Sequence, residues 1–163
     1  MVAAPIMLPS KEMGMLFAGG SGLNNVTAHP QQLKGLPDQS CTADMVQVTS
    51  GGAPSVIKLP NMPVPHADDD ANTGVELMGL TFICGGGGVV SVWNASAGRW
   101  LPETWNITAR RFLACAAATT AKGDKGYVAC GGGENGCGSQ IDMFEVSGSS
   151  GRGWAVTALS SSH

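Results

Sequence analysis

Three times along the chain a short apolar run ends in two or more glycines, and this recurrence restricts the fold more than any other feature. Met15-Leu16-Phe17-Ala18 runs into Gly19-Gly20, Thr81-Phe82-Ile83-Cys84 runs into Gly85-Gly86 and two further glycines, and Tyr127-Val128-Ala129-Cys130 runs into Gly131-Gly132-Gly133. Apolar runs this short, punctuated by glycine, have the length and boundaries of β-strands. Their return at intervals of several tens of residues is the mark of a repeat architecture.

The neighbourhood of each run repeats as well. After the third comes Gln140 to Val146, a Ser/Gly turn, then Gly153-Trp154-Ala155-Val156. After the second comes Val89 to Trp93, a turn at Asn94 to Gly98, then Arg99-Trp100-Leu101-Pro102. After the first, following a longer interval, come Asp44 to Val48 and Ser55 to Pro60. Leading strands are expected at Met1 to Pro9, at Val75 to Met78 before a turn at Gly79, and at Arg111 to Thr119. Each unit therefore reads as four short strands, and no segment keeps a 3.6-residue apolar stripe. The expected organisation is one segment, 1–163, with units near 1–64, 65–110 and 111–163. The insertion 21–40 carries Asn24-Asn25, His29-Pro30, Gly35 and Pro37, which is loop chemistry.

Four strands per unit, a second strand closed by Gly-Gly and a tryptophan downstream resemble the kelch repeat. Gly85 and Gly86 with Trp100, and Gly131 and Gly132 with Trp154, follow that pattern. Arg111, or its neighbour Arg110, stands where the family carries an arginine before the next first strand. In the first unit Gly19 and Gly20 are present, but Val56 or Ile57 replaces the tryptophan and His66 lies near the arginine position. The resemblance implies an all-β fold of kelch-type β-propeller blades, each of four antiparallel strands. A four-stranded twisted sheet cannot cover both faces by itself, and stacked blades cover one another. Three units leave the ring incomplete, so further blades are expected from a longer chain or from a second copy. An ordinary β-sandwich with glycine-rich turns is the competing fold.

Composition removes several functions. Apolar residues make up 43% of the 163 and charged residues 13%, the reverse of a disordered chain. Net charge is −3 with no basic run, so nucleic acid is not an expected partner. No apolar stretch has the length of a membrane-spanning helix, and the start, interrupted by Pro5 and Pro9, reads as a strand rather than a leader. Gly131-x-Gly133-x-x-Gly136 matches a dinucleotide fingerprint formally, but that fingerprint needs a following helix and Ile141 to Val146 reads as strand.

The remaining polar features are sparse. The five cysteines, Cys41, Cys84, Cys115, Cys130 and Cys137, form no Cys-x-x-Cys pair. Cys84 and Cys130 occupy equivalent places before the glycines and read as small buried apolar residues, and the odd count leaves at least one thiol free. Acceptor sequons begin at Asn25, Asn94 and Asn106, all expected in loops or turns, and lean toward a secreted or surface protein. Nothing else in the sequence separates that setting from the cytoplasm. His66, Asp68, Asp69 and Asp70 form an acidic inter-blade loop without the alternate spacing of a calcium loop. The three histidines adjoin no nucleophile. The expectation is a non-catalytic module without cofactor or metal, binding another protein through rim loops, with insertion 21–40 and the His66 loop as contacts. An extracellular glycan-binding or scaffold module is the second expectation. A fragment of a kelch-fold copper radical oxidase is the third, and it is poorly served by a single tyrosine, Tyr127.

Overall fold

A computed structural model of the chain describes residues 2–8, 12–19, 39–40, 43–47, 53–64, 66–67, 73–85, 88–109, 113–132, 140–149 and 153–162. These residues are all-β, and no helix occurs among them. Sheet 1 contains β1 (Val2–Met7), β2 (Met13–Ala18), β4 (Ala43–Gln47) and β5 (Ser55–Lys58) in that order. Sheet 2 contains β7 (Thr73–Leu77), β8 (Leu80–Cys84) and β9 (Val89–Asn94), with β10 (Arg99–Trp100) and β11 (Trp105–Asn106) sharing the far edge of β9. Sheet 3 contains β12 (Leu113–Thr119), β13 (Lys125–Gly132), β14 (Ile141–Ser149) and β15 (Gly153–Ser162). Neighbours within each sheet are antiparallel. A further pair, β3 (Gln39–Ser40) with β6 (His66–Ala67), lies outside these three sheets.

Local chemistry explains the meanders. Between β7 and β8 the chain turns on Met78 (φ 58°) and Gly79 (φ 81°), the two positive φ values that a tight hairpin matched to strand twist requires. Glu76 caps this turn by accepting a hydrogen bond from Gly79 N at 2.7 Å. The fourth strand of sheet 2 breaks at Pro102, which has no N–H for the ladder. Leu101 N still donates to Val92 O at 2.8 Å, and pairing resumes where Trp105 faces Val90. Asn106, expected in a loop, therefore sits in strand β11 with its side chain exposed.

Burial follows the two-residue period in the outer sheets and abandons it in the middle one. In β1, Val2, Ala4 and Ile6 point inward while Ala3, Pro5 and Met7 point out. In β8 every residue from Leu80 to Cys84 is buried. Ile83 packs toward sheet 1, with Ile6, Leu16 and Trp93. Leu80, Phe82 and Cys84 pack toward sheet 3, with Val128, Phe144 and Val146. Sheet 2 is thus enclosed on both faces. Sheets 1 and 3 each keep an outward face uncovered by the described residues, so the three sheets form an arc that does not close. Met13, at 51% exposure, and Met15 mark the uncovered face of sheet 1.

The arc is tightest at its first strands, where β1 lies against β7 and β7 against β12. Glycines admit close approach on either side of β7: a Cβ on Gly74 would overlap the Ala4 side chain of β1, and one on Gly126, in β13, would come within 2.8 Å of Leu77 Cδ1. The motif glycine Gly131 is different, since a Cβ there would meet only Ile141 at 3.7 Å. Gly74→Ala is expected to destabilise the protein by about 1–3 kcal/mol through overpacking, while Gly131→Ala stays within about 0.5 kcal/mol of the parent. Urea midpoints at constant m-value measure both.

Candidate functional site

The seam between sheets 1 and 2 holds His66, Ser91, Trp93 and Trp100. Gly19 leaves β2 at φ 70°, and its Cα faces the His66 Cβ, placing the histidine between the sheets. His66 Nε2 lies 3.0 Å from Ser91 Oγ on β9. Both side chains are buried, His66 at 2% and Ser91 at 0% exposure. Among the described residues His66 Nδ1 has no partner. Burial holds the imidazole neutral, lowering its pKa from 6.5 to about 4. A serine so enclosed presents no nucleophile to solvent, so this pair ties β6 to sheet 2.

Further along the same seam, Trp100 is buried and packs edge-on against Trp93 with ring centroids 5.3 Å apart. Its indole Nε1 donates to Pro60 O at 2.7 Å, which joins sheet 2 to the segment following β5. Beside the rings opens an apolar cleft of about 250 Å3, lined by Leu8, Met45, Leu59, Pro60, Trp93 and Ala95. Among the described residues the walls of the cleft carry no acid, base or nucleophile.

Sheets 2 and 3 meet differently. Trp105 packs edge-on to Phe144 at 6.4 Å, and Phe82 approaches Phe144 at 6.2 Å. Cys115 and Cys130, directly opposite in β12 and β13, are disulfide-bonded, with Cα atoms 4.2 Å apart. This corrects the reading of Cys130 as a simple buried apolar residue. The bridge closes a 15-residue separation, which constrains the unfolded chain by about 3 kcal/mol in the loop-entropy account. Cys84 is a free, buried thiol whose pKa burial pushes up to about 12.

The residues singled out from the sequence meet different outcomes. Trp100 and Trp154 both lie against the preceding sheet, Trp100 buried and Trp154 partly so. Gly19 and Gly132 adopt positive φ, at 70° and 117°, whereas Gly85 and Gly131 do not. His66 faces inward rather than into a solvated loop. Asn94 uses its Oδ1 to accept hydrogen bonds from Ser96 Oγ and Ala97 N within the turn. Val56, standing where a tryptophan was sought, is 71% exposed. Gly20, Asn25, Asp68, Asp69, Asp70, Gly86, Arg111 and most of insertion 21–40 lie outside the described residues. Sequence reasoning missed the β3–β6 pair, the Cys115–Cys130 bridge, and the roles of Trp93 and Trp105. The tryptophans were findable as large apolar residues in strand-like runs, but the bridge had no signal in its spacing. No protein family, curated protein or solved structure matches this chain.

Two measurements check the seam. Trp100→Phe keeps an aromatic ring but loses the bond to Pro60, leaving its carbonyl short of a donor, and is expected to cost about 1–3 kcal/mol in urea unfolding. The depressed His66 pKa means that between pH 6.5 and about 4 the unfolded chain binds a proton that the folded chain does not. Stability due to His66 is therefore complete above pH 6.5 and falls as pH drops toward 4, by about 3 kcal/mol in all. Comparing parent and His66→Gln unfolding at pH 7 and pH 4 isolates this loss, and the variant should lose less.

Proposed function

We propose that this chain is a non-catalytic segment of a kelch-type propeller that binds another protein through loops at one rim. The observation that supports the reading most is the side-by-side packing of three meander sheets, with the middle one enclosed on both faces and the first strands adjacent. Rigid sheets joined by loops separate stability from recognition, because the loops can vary without disturbing the packed faces. Gly85 with Trp100 and Gly131 with Trp154 stand at equivalent places after β8 and in β13 and support the kelch pattern. The outward faces of sheets 1 and 3 would be covered by further blades, from a longer chain or a second copy.

An extracellular scaffold is a second reading, favoured by the Cys115–Cys130 bridge, since disulfides persist in oxidising compartments. The exposed Asn106 side chain suits glycan attachment there. A copper radical site gains no support from Tyr127, whose hydroxyl donates to Glu145 Oε2 at 3.2 Å on the outward face of sheet 3.

The insertion offers the direct test. Replacing residues 22–38 with a short Gly-Ser linker retains β3 and its pairing with β6. The expected outcome is loss of cross-links to the native partner with the β-sheet circular dichroism unchanged. Retention of those cross-links would remove the insertion from the interface.

A further inference from the structure

Three of the five cysteines converge where sheet 3 faces sheet 2. Cys115 and Cys130 are bonded across β12 and β13, and Cys84 reaches them from the end of β8. Cys84 Sγ lies 3.4 Å from Cys130 Sγ, and all three sulfurs lie within 4.8 Å of one another. A free thiol in van der Waals contact with a disulfide is the reactant pair of thiol–disulfide exchange. Packing alone does not call for a third sulfur, because other small apolar residues fill such a space. We propose that these cysteines form an exchange site, in which the bond held by Cys130 passes between Cys115 in its own sheet and Cys84 in the neighbouring sheet.

In the step, the Cys84 thiolate attacks Cys130 Sγ. The Cys84–Cys130 bond forms, the Cys115–Cys130 bond breaks, and Cys115 leaves as a thiolate that takes up the proton given up by Cys84. One thiol and one disulfide stand on each side, so no oxidant or reductant is consumed. The sulfurs form a compact triangle, so the Cys115 side chain must rotate to place the leaving sulfur opposite the nucleophile. Burial keeps Cys84 almost wholly protonated, which makes the step slow while the two sheets stay closed and faster when that edge opens.

The two forms differ in what they hold together. The Cys115–Cys130 form clips two strands of one sheet. The Cys84–Cys130 form ties sheet 2 to sheet 3 and spans 46 residues instead of 15. Against unfolding, the longer loop makes the inter-sheet bond the more stabilising of the two, while in the folded chain burial of an uncharged thiol at Cys84 favours the intra-sheet bond. Exchange also moves the free thiol from a buried position to the half-buried Cys115.

The test uses the full chain with Cys41→Ser and Cys137→Ser, leaving only the three sulfurs. Protein is held at pH 8, quenched in acid, unfolded, alkylated with N-ethylmaleimide and mapped by mass spectrometry without reduction. The expected result is a Cys84–Cys130 peptide that grows as alkylated Cys84 declines, matched one for one by alkylated Cys115. In the same background Cys115→Ala, oxidised with glutathione disulfide, is expected to form the Cys84–Cys130 bond. A parent that keeps only the Cys115–Cys130 peptide overturns the proposal, as does a bond from Cys84 to Cys115. A folded Cys115→Ala protein with both remaining thiols open to alkylation overturns it too. Should Cys115→Ala not fold, the mapping of the parent decides alone.

Discussion

Everything in this fold depends on covering both faces of sheet 2. Its central strand, β8, buries five consecutive residues, which no isolated sheet can do in water. Each side chain of the size of Phe82 or Ile83 contributes about 1.5–3 kcal/mol when removed from solvent. That gain exists only while sheets 1 and 3 stay on either side. The geometry that keeps them there is a wedge. On either side of β7, Gly74 in that strand and Gly126 in β13 leave out side chains so that neighbouring sheets approach closely. At the third and fourth strands, Trp93, Trp100 and Trp105 fill the wider gap. Small residues at one end and indoles at the other splay the sheets like leaves of a fan.

Polar ties act on this apolar frame at few points. At the seam between sheets 1 and 2, the His66–Ser91 contact ties β6 to sheet 2 and the Trp100–Pro60 bond ties the segment after β5 to it. Each adds direction to an interface that hydrophobic burial alone would leave free to slide. The other seam relies on aromatic contacts, on sulfur and on the hydrogen bond that Thr108 N, just past β11, donates to Asp142 Oδ2 on β14 at 3.0 Å. Its bridge lies within sheet 3, so nothing covalent crosses to sheet 2 while Cys84 remains a thiol. The two seams therefore respond to different conditions, the first to proton concentration through His66 and the second to the state of its cysteines.

Much of the strand content was legible from local chemistry. The runs closed by glycine became β2, β8 and β13, and the run Gln140 to Val146 falls in β14 from Ile141 onward. Trp100 and Trp154 were legible as fillers between sheets because large apolar residues at equivalent places need equivalent cover. The glycine reading was less accurate. Repetition drew attention to Gly131, which has room for a Cβ, while Gly74 and Gly126, single glycines inside strands, bear the close approaches. Asn106 read as loop because it follows a proline break, yet the backbone returns to β9 beyond Pro102. His66 read as part of a solvated acidic loop because its sequence neighbours are aspartates. Its environment is set instead by Gly19 and Ser91, which are remote in sequence.

The amino-acid sequence alone determined that the chain is built of short strands in repeated four-strand units, because period-two alternation and glycine turns are properties of neighbouring residues. The tertiary structure decided which face of each sheet is covered, that Cys115 is bonded to Cys130, and where His66 is enclosed. Those outcomes depend on approaches between residues tens of positions apart. Such approaches arise only when whole sheets stack, and no local spacing encodes them.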